Sequence, residues 1–351
     1  MKTSLLNEIK NKVFIIAEIG CNHNGDMNIA KELIDQSLEC GVDAVKFQSF
    51  NPQKMTTTQA PKADYQIKAT GTTESQYSRL CRMSLSREDH FMLRDYCVKK
   101  EIQFISTPFD EESVHLLEEL GVPFYKVPSG EITNIPLLSV IGSTSKPVIL
   151  STGMSNPKEI EQAIEALGHR NIVLLHCISA YPAKWEEANL RAIPTLQSTF
   201  DLPVGFSDHT EGIELALVSI GLGAVVIEKH ITLDRNMEGG DHKASIEPKN
   251  FKNLTQKIRK LETALGDGVK RCMPSEKNVS DVARKSIVAA RNIKSGEIIC
   301  KDSLGIKRPG TGILPKYLEK LTGGKAKVDI PEDQMITWSQ IDLENLNNNS
   351  K

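Results

Sequence analysis

Two short apolar runs in this chain end in side chains that can do chemistry. Val204-Gly205-Phe206 leads into Ser207-Asp208-His209, and Val225-Val226-Ile227 leads into Glu228-Lys229-His230. Between them, Gly212 to Gly223 carries the apolar spacing of one helix. Strand, helix, strand is the arrangement that sets two parallel strands side by side, about 4.8 Å apart. A histidine at the end of each strand can then reach one divalent metal ion. Imidazoles with carboxylates nearby suit manganese, zinc or cobalt, whereas oxygen-only ligands suit magnesium or calcium. For either histidine alone, a hydrogen-bonded residue near a core is the plainer reading, so the weight rests on what else collects beside them.

Other apolar, β-branched runs stop in the same way. They end at Glu18 with His23 beyond it, at Lys46 and Gln48, at Ser106 and Thr107, and at Lys126 with Ser129 and Glu131. Further on they end at Ser151 and Thr152, and at His176 with Ser179 and Tyr181. Two lysines, Ser/Thr pairs and Gly-containing loops suit a phosphate or a carboxylate. Glu18 or Glu228 could serve as general base. Together with a metal, such a set would handle a small phosphorylated anion and a carbonyl that needs polarising. The same lysines also allow Schiff-base aldolase chemistry on Lys126 or Lys229. Lys229, however, falls between inward-pointing Glu228 and His230, so it faces the helix layer as a solvated or salt-bridged lysine. A non-catalytic carbohydrate-binding protein is the alternative outside enzymes.

The elements that must position these residues recur with one rhythm from residue 13 onward. Runs begin at Val13, Ala44, Phe104, Phe124, Val148, Ile172, Val204 and Ala224, most of them followed by a helical pattern. Ser86 with Asp89 three residues later marks the start of a helix to Lys100. Helices are expected over Glu111 to Leu120, Pro157 to Leu167 and about Asn189 to Phe200. A last one carries Leu254, Ile258, Leu261 and Leu265 on one face. Eight such units in about 250 residues are the arithmetic of a (β/α)8 TIM barrel, whose chemistry sits at the C-terminal strand ends. An open doubly wound sheet is disfavoured because no strand runs into a G-x-G-x-x-G turn. The barrel is placed at 1–268, a polar linker at 269–282, a small mostly β domain at 283–345, and a disordered tail at 346–351.

The 351 residues carry a net charge of −2, which calls for neither a nucleic-acid nor a membrane surface. Seven cysteines with no C-x-x-C pair suit a reducing cytoplasm rather than a disulfide framework. The first apolar run is cut by Glu18, so neither a signal peptide nor a membrane span is expected.

The motifs, taken together, resemble the N-acylneuraminate (sialic acid) synthase family over almost the whole chain. They are Ala17-Glu18-Ile19-Gly20 with Asn22-His23-Asn24-Gly25, Val45-Lys46-Phe47-Gln48, Ser106-Thr107-Pro108-Phe109-Asp110, Lys126-Val127-Pro128-Ser129-Gly130-Glu131, Ser151-Thr152-Gly153-Met154, Gly205 to His209, and Glu228-Lys229-His230. Arg284-Lys285-Ser286 and Lys307-Arg308-Pro309-Gly310 look like the family's antifreeze-like (SAF) domain. The resemblance implies a metal-dependent condensation of phosphoenolpyruvate with an N-acylated amino sugar of the N-acetylmannosamine type, giving a nine-carbon 2-keto sugar acid and phosphate. It implies that Lys46, Thr107, Lys126, Ser129, Ser151 and Ser207 hold phosphoenolpyruvate, and that His209 and His230 hold the metal. Manganese is the first choice, with magnesium or cobalt as the others. Glu18 would handle a proton, with Glu228 beside it. Gln48, Glu131, Ser179, Tyr181 and Asp241 would contact the sugar. Arg308 would reach the partner's active site in a domain-swapped homodimer. The segment Ala60 to Lys68 with Glu74-Ser75-Gln76 resembles the sialic and legionaminic branches more than the pseudaminic one.

Overall fold

In a computed structural model, residues 5–10, 12–63, 67, 74–168 and 171–343 are described. Asp64, Tyr65, Gln66 and Lys68 of the branch-marking segment, His169, and the expected tail at 346–351 lie outside them. The chain divides into two compact units, Met1–Gly266 and Asp267–Lys351.

The first unit is built on eight parallel strands: β1 Phe14–Glu18, β2 Ala44–Ser49, β3 Gln103–Pro108, β4 Tyr125–Val127, β5 Val148–Ser151, β6 Ile172–Cys177, β7 Val204–Asp208 and β8 Val226–His230. They pair in the order β3-β2-β1-β8-β7-β6-β5-β4, and β3 and β4 lie side by side to close the ring. The helices of eight residues or more that follow the strands are α1 Met27–Cys40, α2 Gln76–Met83, α3 Arg87–Lys99, α4 Glu111–Leu120, α5 Ile135–Ser143, α6 Pro157–Leu167, α7 Ala192–Phe200, α8 Glu214–Gly221 and α9 Pro248–Leu265. This is the TIM barrel expected from the sequence. The start of α3 is as read there, with Ser86 and Asp89 closing a reciprocal capping box.

Strand alternation decides which residues face where. Phe14, Ile16, Ala44, Ile105, Ile149, Val173, Leu175 and Val226 fill the barrel interior, capped from below by Leu5 and Ile9. Ile15, Ala17, Val45, Phe104, Leu174, Phe206 and Ile227 pack outward against the helices. Two residues further along the inward series come Glu18, Lys46, Thr107, Ser151, Cys177 and Glu228. The apolar floor and the polar site are thus the lower and upper parts of one inward-facing set.

Outside the barrel wall, α5 and α6 approach closely at Gly142. A β-carbon there would stand 2.3 Å from the Leu167 carbonyl oxygen, a backbone atom that cannot step aside. Gly142→Ala is expected to destabilise the protein by about 1–3 kcal/mol. Gly221→Ala, at a helix position with nothing within 4 Å, should be neutral or stabilising by up to about 1 kcal/mol. Thermal melting of the two variants checks the contrast.

The second unit opens with helix α10, Lys277–Ala283, where the sequence suggested only a polar linker. It continues with β9 Ser286–Ala289 antiparallel to β10 Leu304–Lys307, then α11 Leu318–Leu321. A further pair, β11 Lys325–Ala326 and β12 Ile341–Asp342, is also antiparallel. Ile287, Ile293, Ile299, Ile313, Leu321, Ile330 and Ile336 form its core. No helix among the described residues is long and apolar enough to cross a membrane. All seven cysteines are free.

Candidate active site

The inward strand ends open into a cavity of about 320 Å³. Its walls carry Glu18, Lys46, Gln48, Thr107, Lys126, Ser129, Ser151, Ser179, Tyr181, Ser207, His209, Glu228, His230 and Asp241. Fourteen of the sixteen site residues expected from the sequence therefore meet in one place.

At the centre are two lysines and two carboxylates, all buried. Lys46 Nζ lies 2.7 Å from Glu18 Oε2 and 3.7 Å from Glu228 Oε2, and Lys126 Nζ lies 3.2 Å from Glu228 Oε1. Ser207 Oγ donates to Glu228 Oε1 at 2.8 Å, Gln48 Nε2 donates to Glu18 Oε1 at 3.0 Å, and Lys46 Nζ donates to Thr107 Oγ1 at 3.2 Å. Strand register produces this grouping, since Glu18 pairs with both Lys46 and His230 and Ser207 pairs with Glu228.

The two carboxylates are driven apart electrically. Burial pushes Glu18 above the ordinary carboxylate range, and Glu228 adds to that while Lys46 opposes it. For Glu228 burial is outweighed by Lys126, Lys46 and the Ser207 hydroxyl, so it is held well below that range. Burial lowers Lys126, whereas Glu18 and Glu228 outweigh burial and raise Lys46. Glu18 is thus the group able to carry a proton, and Glu228 the fixed counter-charge between two ammonium groups. With Glu18 protonated the cluster holds one net positive charge, which favours an anion.

Next to this cluster, with Ser207 between Glu228 and His209, the His209 and His230 rings lie 5.4 Å apart between centroids, with Tyr181 4.2 Å and 5.7 Å from them. Nδ1 of His209 lies 2.7 Å from the Ile178 carbonyl oxygen and so carries the proton, leaving Nε2 for a ligand. Nδ1 of His230 is buried with no hydrogen-bond partner. Burial, first of all, lowers both imidazoles to about 4, so both are neutral donors at physiological pH. Among the described residues no group of three or more His, Cys, Asp or Glu side chains forms a metal-holding cluster. The donor set fits a divalent transition ion held by two imidazoles, with oxygens of water or substrate completing its shell.

Ser129 Oγ accepts from the Gly153 amide at 2.9 Å and lies 3.1 Å from Cys177 Sγ. A β-carbon on Gly153 would sit 2.4 Å from Ser179 Oγ and 2.8 Å from Ser129 Oγ. Only glycine lets these groups close around one small space.

Several expectations need correction. Glu131 does not line the cavity, because its short 3-10 turn directs the carboxylate to Asn134, whose amide donates to it at 2.7 Å. Arg308 needs no correction, since it lies in the second unit, within the SAF domain as expected, on the exposed loop after β10. Ser106, Thr152, His176 and Asp208 have outward parity. Ser106 bonds Ser49, Thr152 donates to the Leu175 carbonyl, and His176 Nε2 bonds the Ala188 carbonyl. Lys229 faces outward as expected, and of the two readings given for it the salt-bridged one holds. It is fully buried, 2.7 Å from Asp208 Oδ2, and also donates to the Thr210 carbonyl. That excludes it as an aldolase nucleophile. His23 is buried beside Phe47 with Nδ1 accepting from the Gly25 amide, and His242 bonds Thr232. The cavity also holds Cys21, Gln76, Arg79, Met154 and Cys177. Cys177 could have been found from strand parity; Arg79 lies on a helix inside the long polar excursion after β2, where no strand end points to it.

Comparison with known proteins supports the same family. The NeuB family model matches residues 33–270 and the SAF domain model matches residues 284–342. The chain is 48% identical to the N,N'-diacetyllegionaminic acid synthase of Campylobacter jejuni over 93% of this chain and 99% of that one. It is 36% identical to the N-acetylneuraminate-9-phosphate synthase of Homo sapiens, over 94% and 92%. A crystal structure of the N-acetylneuraminic acid synthetase from Leptospira borgpetersenii, in complex with citrate, superposes with a TM-score of 0.68 at 35% identity, covering 77% of this chain and 90% of that one. An ordered set of strand-end motifs, a barrel that gathers them into one cavity, and full-length relatives of this kind place the chain in the NeuB family of sialic and legionaminic acid synthases.

Proposed function

We propose that the protein condenses phosphoenolpyruvate with the aldehyde of an N-acylated amino sugar, giving a nine-carbon 2-keto sugar acid and inorganic phosphate. The observation that carries this is one cavity whose walls bring two lysines and several hydroxyl side chains together with two neutral imidazoles. Lys46, Lys126, Thr107, Ser129, Ser151 and Ser207 hold the phosphate and carboxylate of phosphoenolpyruvate. Gln48, Tyr181, Ser179 and Asp241 orient the sugar. A divalent metal on His209 and His230, manganese in the first instance, supplies Lewis-acid polarisation of the aldehyde oxygen.

In the reaction, C3 of phosphoenolpyruvate forms the new carbon–carbon bond to the aldehyde carbon. Water adds at C2, and phosphate leaves with cleavage of its C–O bond. Glu18, raised by burial, holds and returns the proton at this step. Glu228 fixes the two lysines between which the anion sits. Arg308 completes the sugar pocket from the SAF domain of a partner subunit in a domain-swapped homodimer, and the enzyme works in the cytoplasm. The 48% identity with the Campylobacter N,N'-diacetyllegionaminic acid synthase, against 35% with the Leptospira N-acetylneuraminic acid synthetase, supports the diacetylated dideoxymannose acceptor over N-acetylmannosamine.

The test is phosphate release by the purified protein with Mn²⁺, phosphoenolpyruvate and each candidate acceptor, read together with product mass. A nine-carbon product with one equivalent of phosphate is expected. No phosphate with any acceptor removes the reading. A borohydride-trapped adduct on Lys126, with activity surviving chelator, would replace it by Schiff-base chemistry.

A further inference from the structure

Resting on the synthase reading, we infer that Arg79, with Gln76 beside it, is a specificity residue that reads a neutral acylamino group of the sugar acceptor. Both residues come from α2, three positions apart and so on one face of the helix, and both line the cavity. Arg79 is only 4% exposed, yet its Nε–H has no hydrogen-bond partner. Gln76 Oε1 and Asp241 Oδ1, both buried, also have none. The Arg79 guanidinium stands 4.0 Å from Asp241 Oδ1, close enough to balance its charge and too far to hydrogen-bond it.

Leaving three buried polar atoms unsatisfied is unfavourable, and their grouping at one wall marks a place completed by a ligand. The chemistry of that ligand follows from charge and from the donor–acceptor pattern. Arg79 and Asp241 compensate one another, so a phosphate here would meet the aspartate at no net positive charge. A neutral amide offers a carbonyl for the Arg79 Nε–H and an N–H for Asp241 or Gln76, which matches what the wall lacks. In the proposed reaction the ordinary phosphate-binding work is already taken by Lys46 and Lys126, which the carboxylate Glu228 holds together.

The experiment compares wild type, Arg79→Met and Arg79→Lys in the phosphate-release assay, varying the acylated acceptor and phosphoenolpyruvate separately. In both variants KM for the acylated acceptor should rise about 10- to 100-fold, the range of a hydrogen bond from a charged donor, while KM for phosphoenolpyruvate stays as in wild type. Arg79→Met leaves Asp241 without its counter-charge and can fail to fold; Arg79→Lys keeps that charge and loses the planar fork, so it carries the test alone if needed. An acceptor KM unchanged in Arg79→Lys, or a parallel rise in both KM values, overturns the assignment. So does a wild-type preference for the 6-phosphate ester of N-acetylmannosamine that Arg79→Lys weakens. A wild type that releases no phosphate with any acceptor overturns the synthase reading itself, and this assignment with it.

Discussion

Replacing His209 or His230 by alanine should lower phosphate release by about a thousandfold or more, the scale of several kcal/mol of Lewis-acid stabilisation. Among the described residues no group of three or more His, Cys, Asp or Glu side chains stands ready to hold a metal, so losing either imidazole leaves the site with too few donors. The loss should therefore appear in metal affinity as well as in turnover. Titration of Mn²⁺ followed by the electron paramagnetic resonance signal of the free ion provides the second readout. Wild type should retain the ion and each variant should release it. Acid should act on the same site in the same direction. Burial keeps both rings neutral down to about pH 4, so proton competition should leave Mn²⁺ bound at about pH 6, where an ordinary histidine pair is already mostly protonated. Retention of Mn²⁺ by both alanine variants would remove the metal from this position.

The second large effect is expected from Lys46→Met. The lysine is 4% exposed and lies between Glu18 and Glu228. Its removal leaves two buried carboxylates sharing one remaining ammonium group. Breaking such a pair costs about 3–5 kcal/mol, and because Glu18 can take up a proton the lower end applies. The sign with pH follows from that proton. Glu18 already has a folded-state value above its unfolded one, and losing Lys46 raises it further. The folded variant then binds more protons than the unfolded chain between the two values, so the variant regains stability as pH falls through that window and loses it as pH rises. Melting of Lys46→Met against pH, with Glu18→Gln/Lys46→Met as a partner, measures it. The double variant should recover stability without recovering affinity for phosphoenolpyruvate. An equal loss in both variants would separate Glu18 from Lys46.

How much of this was legible in the sequence depended on parity. Eight apolar runs with polar ends, most of them followed by a helical pattern, suffice for a barrel, and the barrel then requires alternate residues to converge. Glu18, Lys46, Thr107, Lys126, Ser151, Ser207, Glu228 and His230 were recoverable for that reason. Residue type without parity misled at His176 and Asp208, which stand at strand ends but point outward. Glu131 stands apart from the cavity lining for a local reason, since a 3-10 turn with Asn134 near its end sets its direction and no strand period applies there. Arg79 was invisible because its position depends on how a long excursion folds back over the strand ends. No pattern in 51–80 records that return. The helix Lys277–Ala283 was missed because it is only seven residues long, and its few apolar residues, Val279 and Val282, lie exposed within a polar stretch.

The Asp208–Lys229 pair gives the outward parity its own importance. Both side chains are wholly buried on neighbouring strands, and Lys229 is bound by Asp208 and by the Thr210 carbonyl. The residues on either side of this fastening, Ser207 and His209 on one strand and Glu228 and His230 on the other, are those that meet the cavity. The strand tips therefore work like a two-sided hinge plate: rivets on the back hold fixed the tools on the front. Inserting one residue ahead of either tip would exchange the two faces, carrying the rivet inward and the tool into the helix layer. Chain length through β7 and β8 is thus under a stricter constraint than the identity of the apolar residues that make it up.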